Sequence, residues 1–294
     1  MLGLFSKIIQ PKKSCQTKPT LPVKILKNIF WGLVIATLGM TKSNSQTEKA
    51  SHGQAQSNSD NNIVNCGHLL DGPSFYIKQL ENKSLDNMFT LTKLQKQQIG
   101  KANYKQVIKK NKLLNEFQNK TNVLQTFENI KKNAKSSTQF KLHIIASKDI
   151  NAFTMIGGHI YLTTGLLSYI DSMDELAFIL GHEVGHHEKL HLERKVKKIM
   201  ATSTFFGATG AEEFAKIAID LNSKFSAPFD QINEYEADEY GFELAKKSGY
   251  DVNNFADFFK KLEKNEKRSI LIKLNSTHPF SSDRRKCLEK YIAN

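Results

Sequence analysis

Apolar positions change their spacing several times along this chain, and each change marks an element. Residues 1–28 carry six lysines and no acid, and Ile29 to Met40 then form an uninterrupted apolar run. The run is 12 residues long, whereas a membrane span needs about 20 and the core of an export signal roughly 7–15. A signal peptide or short membrane anchor is expected over 1–40, and a basic, acid-poor start also suits a mitochondrial presequence. Thr41 to Asn62 is rich in Ser, Asn, Gln and Thr, which predicts a flexible linker over 41–62. Between Phe75 and Lys135, apolar residues recur at helical spacing, as at Leu91, Leu94 and Ile99 and again at Leu113, Leu114 and Phe117. Two or three amphipathic helices are expected there, in a helical region over 63–139.

The pattern shifts at Lys141. Leu142 to Ala146 reads as a strand, as does Ala152 to Met155, and Gly157-Gly158 turns the chain into a third strand, His159 to Thr163. A helix follows, with Ser172 and Glu175 spaced as a capping box and Leu176, Ile179, Leu180 and Val184 as its apolar stripe. Further helices are expected over about 212–221, 233–247 and 252–267, with Gly249 stopping the second.

Composition narrows the function less than it first suggests. The net charge is +13, but removing the six leader lysines leaves 13 − 6 = +7, spread as solvated runs such as Lys109-Lys110-Asn111-Lys112. No nucleic-acid module accompanies that charge, so nucleic acid is not an expected partner. A hydrophobic share of 39% supports a packed core. Cys15, Cys66 and Cys287 include no Cys-x-x-Cys pair, which argues against a thiolate metal site. Cys66 and Cys287 could form one disulfide in an exported protein, or remain two unrelated thiols.

The chemistry concentrates in His182-Glu183-Val184-Gly185-His186. Histidines four apart on a helix lie on one face and can converge on one ion. Zinc suits two neutral imidazoles, and Glu183 is placed to accept a proton from water activated there. His187 and His191 form a second pair without the intervening glutamate and are read as surface or supporting residues. His143 and His159 fall in strands, where a structural role is expected. A third ligand is sought in Asn233-Glu234-Tyr235-Glu236-Ala237-Asp238. Glu234 and Glu236 stand about 200° apart around a helix, so only one can face the metal. Asp238 shares the face of Glu234.

Together these segments resemble the membrane-associated zinc metallopeptidases that include the CAAX prenyl endopeptidase, the HtpX heat-shock protease, the mitochondrial inner-membrane stress protease and periplasmic quality-control proteases. Asn151-Ala152-Phe153 with Gly157 to Leu167 is similar to that family's edge strand and turn. His182 to His186 is similar to its zinc helix, and Asn233 to Asp238 to its third-ligand helix. Ser276-Thr277-His278-Pro279-Phe280, followed by Arg284, is similar to its C-terminal signature. The resemblance implies one zinc ion held by His182, His186 and Glu234, with Glu183 as the base and Asp238 orienting a ligating histidine. It also places His278 near the metal, as a transition-state stabiliser or a latch on the open coordination position.

The expected fold is α+β of the zincin type, a small mixed sheet over the zinc helix with helices around it, in a metallopeptidase domain over 140–294. With one short apolar run, the chain is expected nearer the small periplasmic or mitochondrial members than the multi-span ones. The expected function is endoproteolysis of unfolded or extended polypeptide in envelope or organelle-membrane quality control. The substrate would pair with an edge strand at His159, Ile160, Tyr161 and Leu162. The rival readings are a zinc hydrolase of non-peptide amides such as cell-wall crosslinks, and a non-catalytic zinc-containing chaperone.

Overall fold

The computed structural model describes residues 73–88, 90–202, 231–266, 278 and 282–293. The expected leader over 1–40, the linker over 41–62 and the helix over 212–221 lie outside those residues. The described elements belong to one compact unit.

Three helices precede residue 141: α1 (Pro73–Met88), α2 (Lys93–Lys110) and α3 (Lys120–Asn133). Thr92 starts α2 with a reciprocal capping box to Gln95. Four strands follow or interleave: β1 (Leu113–Leu114), β2 (Lys141–Ile145), β3 (Ala152–Met155) and β4 (His159–Thr163). The sheet order is β1-β2-β4-β3, with β2 parallel to β4 and the other pairs antiparallel. Gly157 and Gly158 adopt φ of 93° and 84° between β3 and β4, a left-handed conformation that glycine reaches without a Cβ penalty.

The remaining helices are α4 (Thr164–Tyr169), α5 (Met173–Glu188), α6 (His191–Thr202), α7 (Gln231–Lys247), α8 (Phe255–Glu266) and α9 (Ser282–Ala293). Alternation along the strands separates the two sheet faces. Ile144, Ala152, Ile160 and Leu162 pack on one face in the core that contains Leu176, Leu180 and Val184 of α5. Ile145, Met155 and Tyr161 point to the other face, where Val107 and Tyr104 of α2 cover them.

Two expectations change here. The boundary at 139/140 is no break in packing, because β1 pairs with β2 and α3 packs against α5. Before Lys141, α2 covers the second sheet face and α3 joins the core on the α5 side. More importantly, β4 is an interior strand, hydrogen-bonded on both sides. His159 and Tyr161 face α2, Ile160 and Leu162 face the α5 core, and neither backbone edge is open to a substrate. Among the described residues, the edge strand beside α5 is β3. The local turn signal told which strands are neighbours in sequence, but the parallel β2–β4 pairing is long-range and leaves no local mark.

The contact that places the functional residues is the crossing of α5 and α7. It is built from small residues: a Cβ on Gly181 would lie 2.8 Å from Gly241 O, and one on Gly241 would lie 2.7 Å from His182 N. Gly185 lies over Ala237, where a Cβ would come 3.1 Å from its carbonyl oxygen. The two helix backbones therefore touch, and side chains one turn away on each helix are pressed into a shared space. Among the described residues, no helix is long and apolar enough to cross a membrane.

Candidate metal centre

His182, Glu183 and His186 project from α5, Glu234 and Asp238 from α7, Arg284 from α9, and His278 from the segment before α9. All seven are buried. The Nε2 atoms of His182 and His186 stand 3.0 Å apart. Glu234 places Oε2 at 3.6 Å from His182 Nε2 and Oε1 at 3.5 Å from His186 Nε2. Atoms bound tetrahedrally at about 2.0–2.1 Å are separated by roughly 3.3–3.4 Å. The three donors are thus spaced as ligands of one small cation. His278 brings its Nδ1 to 3.1 Å from His182 Nε2 and 3.2 Å from Glu234 Oε1. One donor atom from each of these four residues lies within 4.8 Å of the other three.

The donor set fits zinc chemically as well as spatially. Burial, reinforced by the neighbouring histidines, holds His186 well below the usual histidine range, so its imidazole is neutral and keeps a lone pair. Burial pushes the Glu234 carboxyl up, but the charges of His278 and Arg284 outweigh it and keep the group ionised. Glu183 ends raised: its burial outweighs the pull of His278 and His182. A carboxyl raised toward neutrality is suited to take and return a proton. Its Oε2 is buried without a hydrogen-bond partner among the described residues, and its Oε1 lies 3.3 Å from His278 Nε2. An orphaned buried carboxylate oxygen beside a converging donor set is the mark of a site built for a further group.

Asp238 places Oδ1 at 2.9 Å from His182 Nδ1. Sequence reasoning missed what holds Asp238. Arg284 donates through Nε and Nη2 to its two oxygens, both at 2.7 Å, and reaches Glu234 Oε2 with Nη1 at 2.7 Å. Burial would lower the Asp238 and Arg284 charges' stability, yet their pairing drives the carboxyl down and the guanidinium up. Arg284 had been noticed only as the residue following the His-Pro signature.

Three other histidines fall into place. His143 and His159 stack with each other and with Tyr104 on the far sheet face, 2.9 Å between ring nitrogens. Burial pushes both to about 4, so they are neutral packing groups there. His187 points to β3, with Nε2 at 2.7 Å from Thr154 Oγ1.

The family model for "Peptidase family M48" matches residues 116–292. The chain belongs to peptidase family M48. The M48 match begins before Lys141 and so takes in α3 and strands β2, β3 and β4. Among M48 relatives, the Bos taurus protein named "Metalloendopeptidase OMA1, mitochondrial" is 29% identical over 173 residues, 53% of this chain and 33% of its own length. A Vibrio cholerae protein named "Putative beta-barrel assembly-enhancing protease" is 30% identical over 161 residues, 50% of this chain and 33% of its own. An Escherichia coli "Beta-barrel assembly-enhancing protease" is 30% identical over 138 residues, 42% of this chain and 28% of its own. The chain spans about a third of the length of these relatives. M48 membership favours neither the non-peptide hydrolase nor the non-catalytic chaperone.

Proposed function

We propose that this chain is a zinc-dependent endopeptidase of unfolded or extended polypeptide, with a zincin-type domain arranged around α5. The observation that carries the reading is the convergence of His182, His186 and Glu234 at ligand spacing, beside the buried Oε2 of Glu183, which has no hydrogen-bond partner among the described residues.

In this reading His182, His186 and Glu234 hold one zinc ion, which supplies an electrophile for the scissile carbonyl and acidifies water to near neutral pH. Glu183 accepts the water proton as the oxygen–carbon bond forms. It then delivers that proton to the departing amine nitrogen as the carbon–nitrogen bond breaks. Asp238, braced by Arg284, keeps the Nδ1–H of His182 pointed away so that Nε2 stays a ligand. The substrate backbone pairs with the β3 edge at Ala152–Met155, which requires it to be extended and unpaired. His278, with Nδ1 3.1 Å from His182 Nε2 and 3.2 Å from Glu234 Oε1 and Nε2 3.3 Å from Glu183 Oε1, would be a further residue able to hold the ion and, as a latch, to restrict access to it.

The names of the relatives support work at a membrane, one being mitochondrial and others assisting β-barrel assembly. The basic-apolar leader and the disulfide-bonded state of Cys287 support a site outside the cytosol, in the periplasm, or in mitochondria if the source has them.

The reading is tested by digestion of casein with the purified zinc-loaded protein, with and without a chelator. Glu183→Gln should keep zinc and fold yet lose rate by about 10²–10⁴-fold, the usual worth of a positioned acid–base group. Cleavage at the wild-type rate by that variant would remove Glu183 from the chemistry.

A further inference from the structure

The two histidines of the motif are supported differently. His182 meets a carboxylate directly, through Asp238. His186 turns its Nδ1 to the Nδ1 of His191 at 3.0 Å, and His191 turns its Nε2 to Glu236 Oε2 at 2.8 Å. We propose that His191 and Glu236 are positioning residues for His186, a two-step hydrogen-bond chain that fixes which of its nitrogens faces the metal.

The atoms dictate the direction of the chain. If His186 ligates through Nε2, its proton is on Nδ1 and must be donated. His191 Nδ1 is then the acceptor, so the His191 proton is on Nε2 and is donated to the Glu236 carboxylate. Reversing any link would put a proton on His186 Nε2 and block the metal. His191 is 1% exposed, so a misdirected proton here has little access to water and is costly.

The backbone shows that this contact is built. On a straight helix, residues five apart stand about 140° from each other and cannot touch. Between α5 and α6 the chain passes through Leu190 at φ 61°, a left-handed conformation that a leucine adopts only where its surroundings enforce it. That single reversal folds His191 back onto His186. Glu236 comes from α7, on the side of the helix away from Glu234, and reaches the site only through His191. The position of Glu236 opposite the metal is therefore compatible with a role in holding it.

The inference rests on the metal-site reading, so its test separates the two. Zinc affinity is measured by chelator competition, and the unfolding midpoint of the metal-free protein is measured alongside. His191→Phe removes the acceptor and should weaken zinc by about 10–100-fold, the range for lost ligand-orienting partners. His191→Gln retains an acceptor and should recover part of that loss. Glu236→Ala, at a side chain 25% exposed, should weaken zinc about tenfold with the metal-free midpoint unchanged. Cobalt(II) in Glu236→Ala should show a shifted visible band, which a purely structural role would not produce. Wild-type zinc affinity in Glu236→Ala overturns the proposal, and decides the matter if His191→Phe does not fold. His182→Ala is the control: if it binds zinc as wild type does, the metal site itself is misassigned and the positioning pair falls with it.

Discussion

At the scale of single residues, the decisive choice was between Glu234 and Glu236. Helical geometry alone allowed either to face the metal, and the structure gives them different tasks. Glu234 is fully buried among His182, His186 and Arg284, whereas Glu236 accepts from His191. Glu234→Gln should lose zinc sharply, and Asp238→Asn should weaken it less, about 10–100-fold, by loosening His182. Zinc stoichiometry of the purified variants checks this, and a fully loaded Glu234→Gln would reverse the assignment. On the proposed latch role, His278→Ala should raise the rate of casein cleavage several-fold while lowering zinc affinity. An unchanged rate would place His278 outside the cycle. The motif histidines were legible because their chemistry requires a fixed local spacing. Arg284 and His191 were not, since one arginine or histidine carries no pattern until the fold shows what it touches.

Among the elements, those with local causes were legible. The helix α5 that carries the motif begins after Ser172, whose Oγ accepts from Glu175 N at 3.2 Å. The Glu175 carboxylate, though, accepts from Asp171 N at 2.8 Å, one residue upstream of the expected reciprocal bond. Gly249 follows α7 at φ 86°, as its place in the sequence suggested. The interior position of β4 was illegible because pairing between distant strands depends on the assembled sheet. So was the glycine crossing of α5 and α7, since isolated glycines in helices read as weak points. Gly241→Ala sets two effects against each other. Helix propensity gains about 1 kcal/mol, while overpacking costs typically 1–3. The obstacle is the backbone of His182, which cannot rotate away, so overpacking should win. A lower urea midpoint and a zinc affinity reduced by more than about tenfold are expected, because His182 moves with the backbone. Unchanged values for both would mean that the crossing has room to spare.

For the whole molecule, the proposed leader over 1–40 bears on a destination more than on a mechanism. Cell fractionation of the full chain should find it outside the cytosol, with Cys287 inaccessible to alkylation until a reductant is added. A cytosolic protein with a freely reactive Cys287 would contradict the export reading. The sequence left this cysteine open because connectivity follows from the fold, and its partner lies outside the described residues. Another whole-chain property follows from Arg284, the clamp on Asp238 and Glu234. It is encoded 102 residues after His182. Ribosomes add about 5–20 residues per second, so roughly 5–20 s pass between synthesis of the cutting motif and of its brace. During that interval the nascent chain carries the histidines and their glutamate without the arginine that neutralises the carboxylates around them. Two buried carboxylates with no countercharge resist packing together, so the blade is forged early and hafted last. On the proposed activity, a chain laid out in this order is poorly armed while still attached to the machinery that makes it.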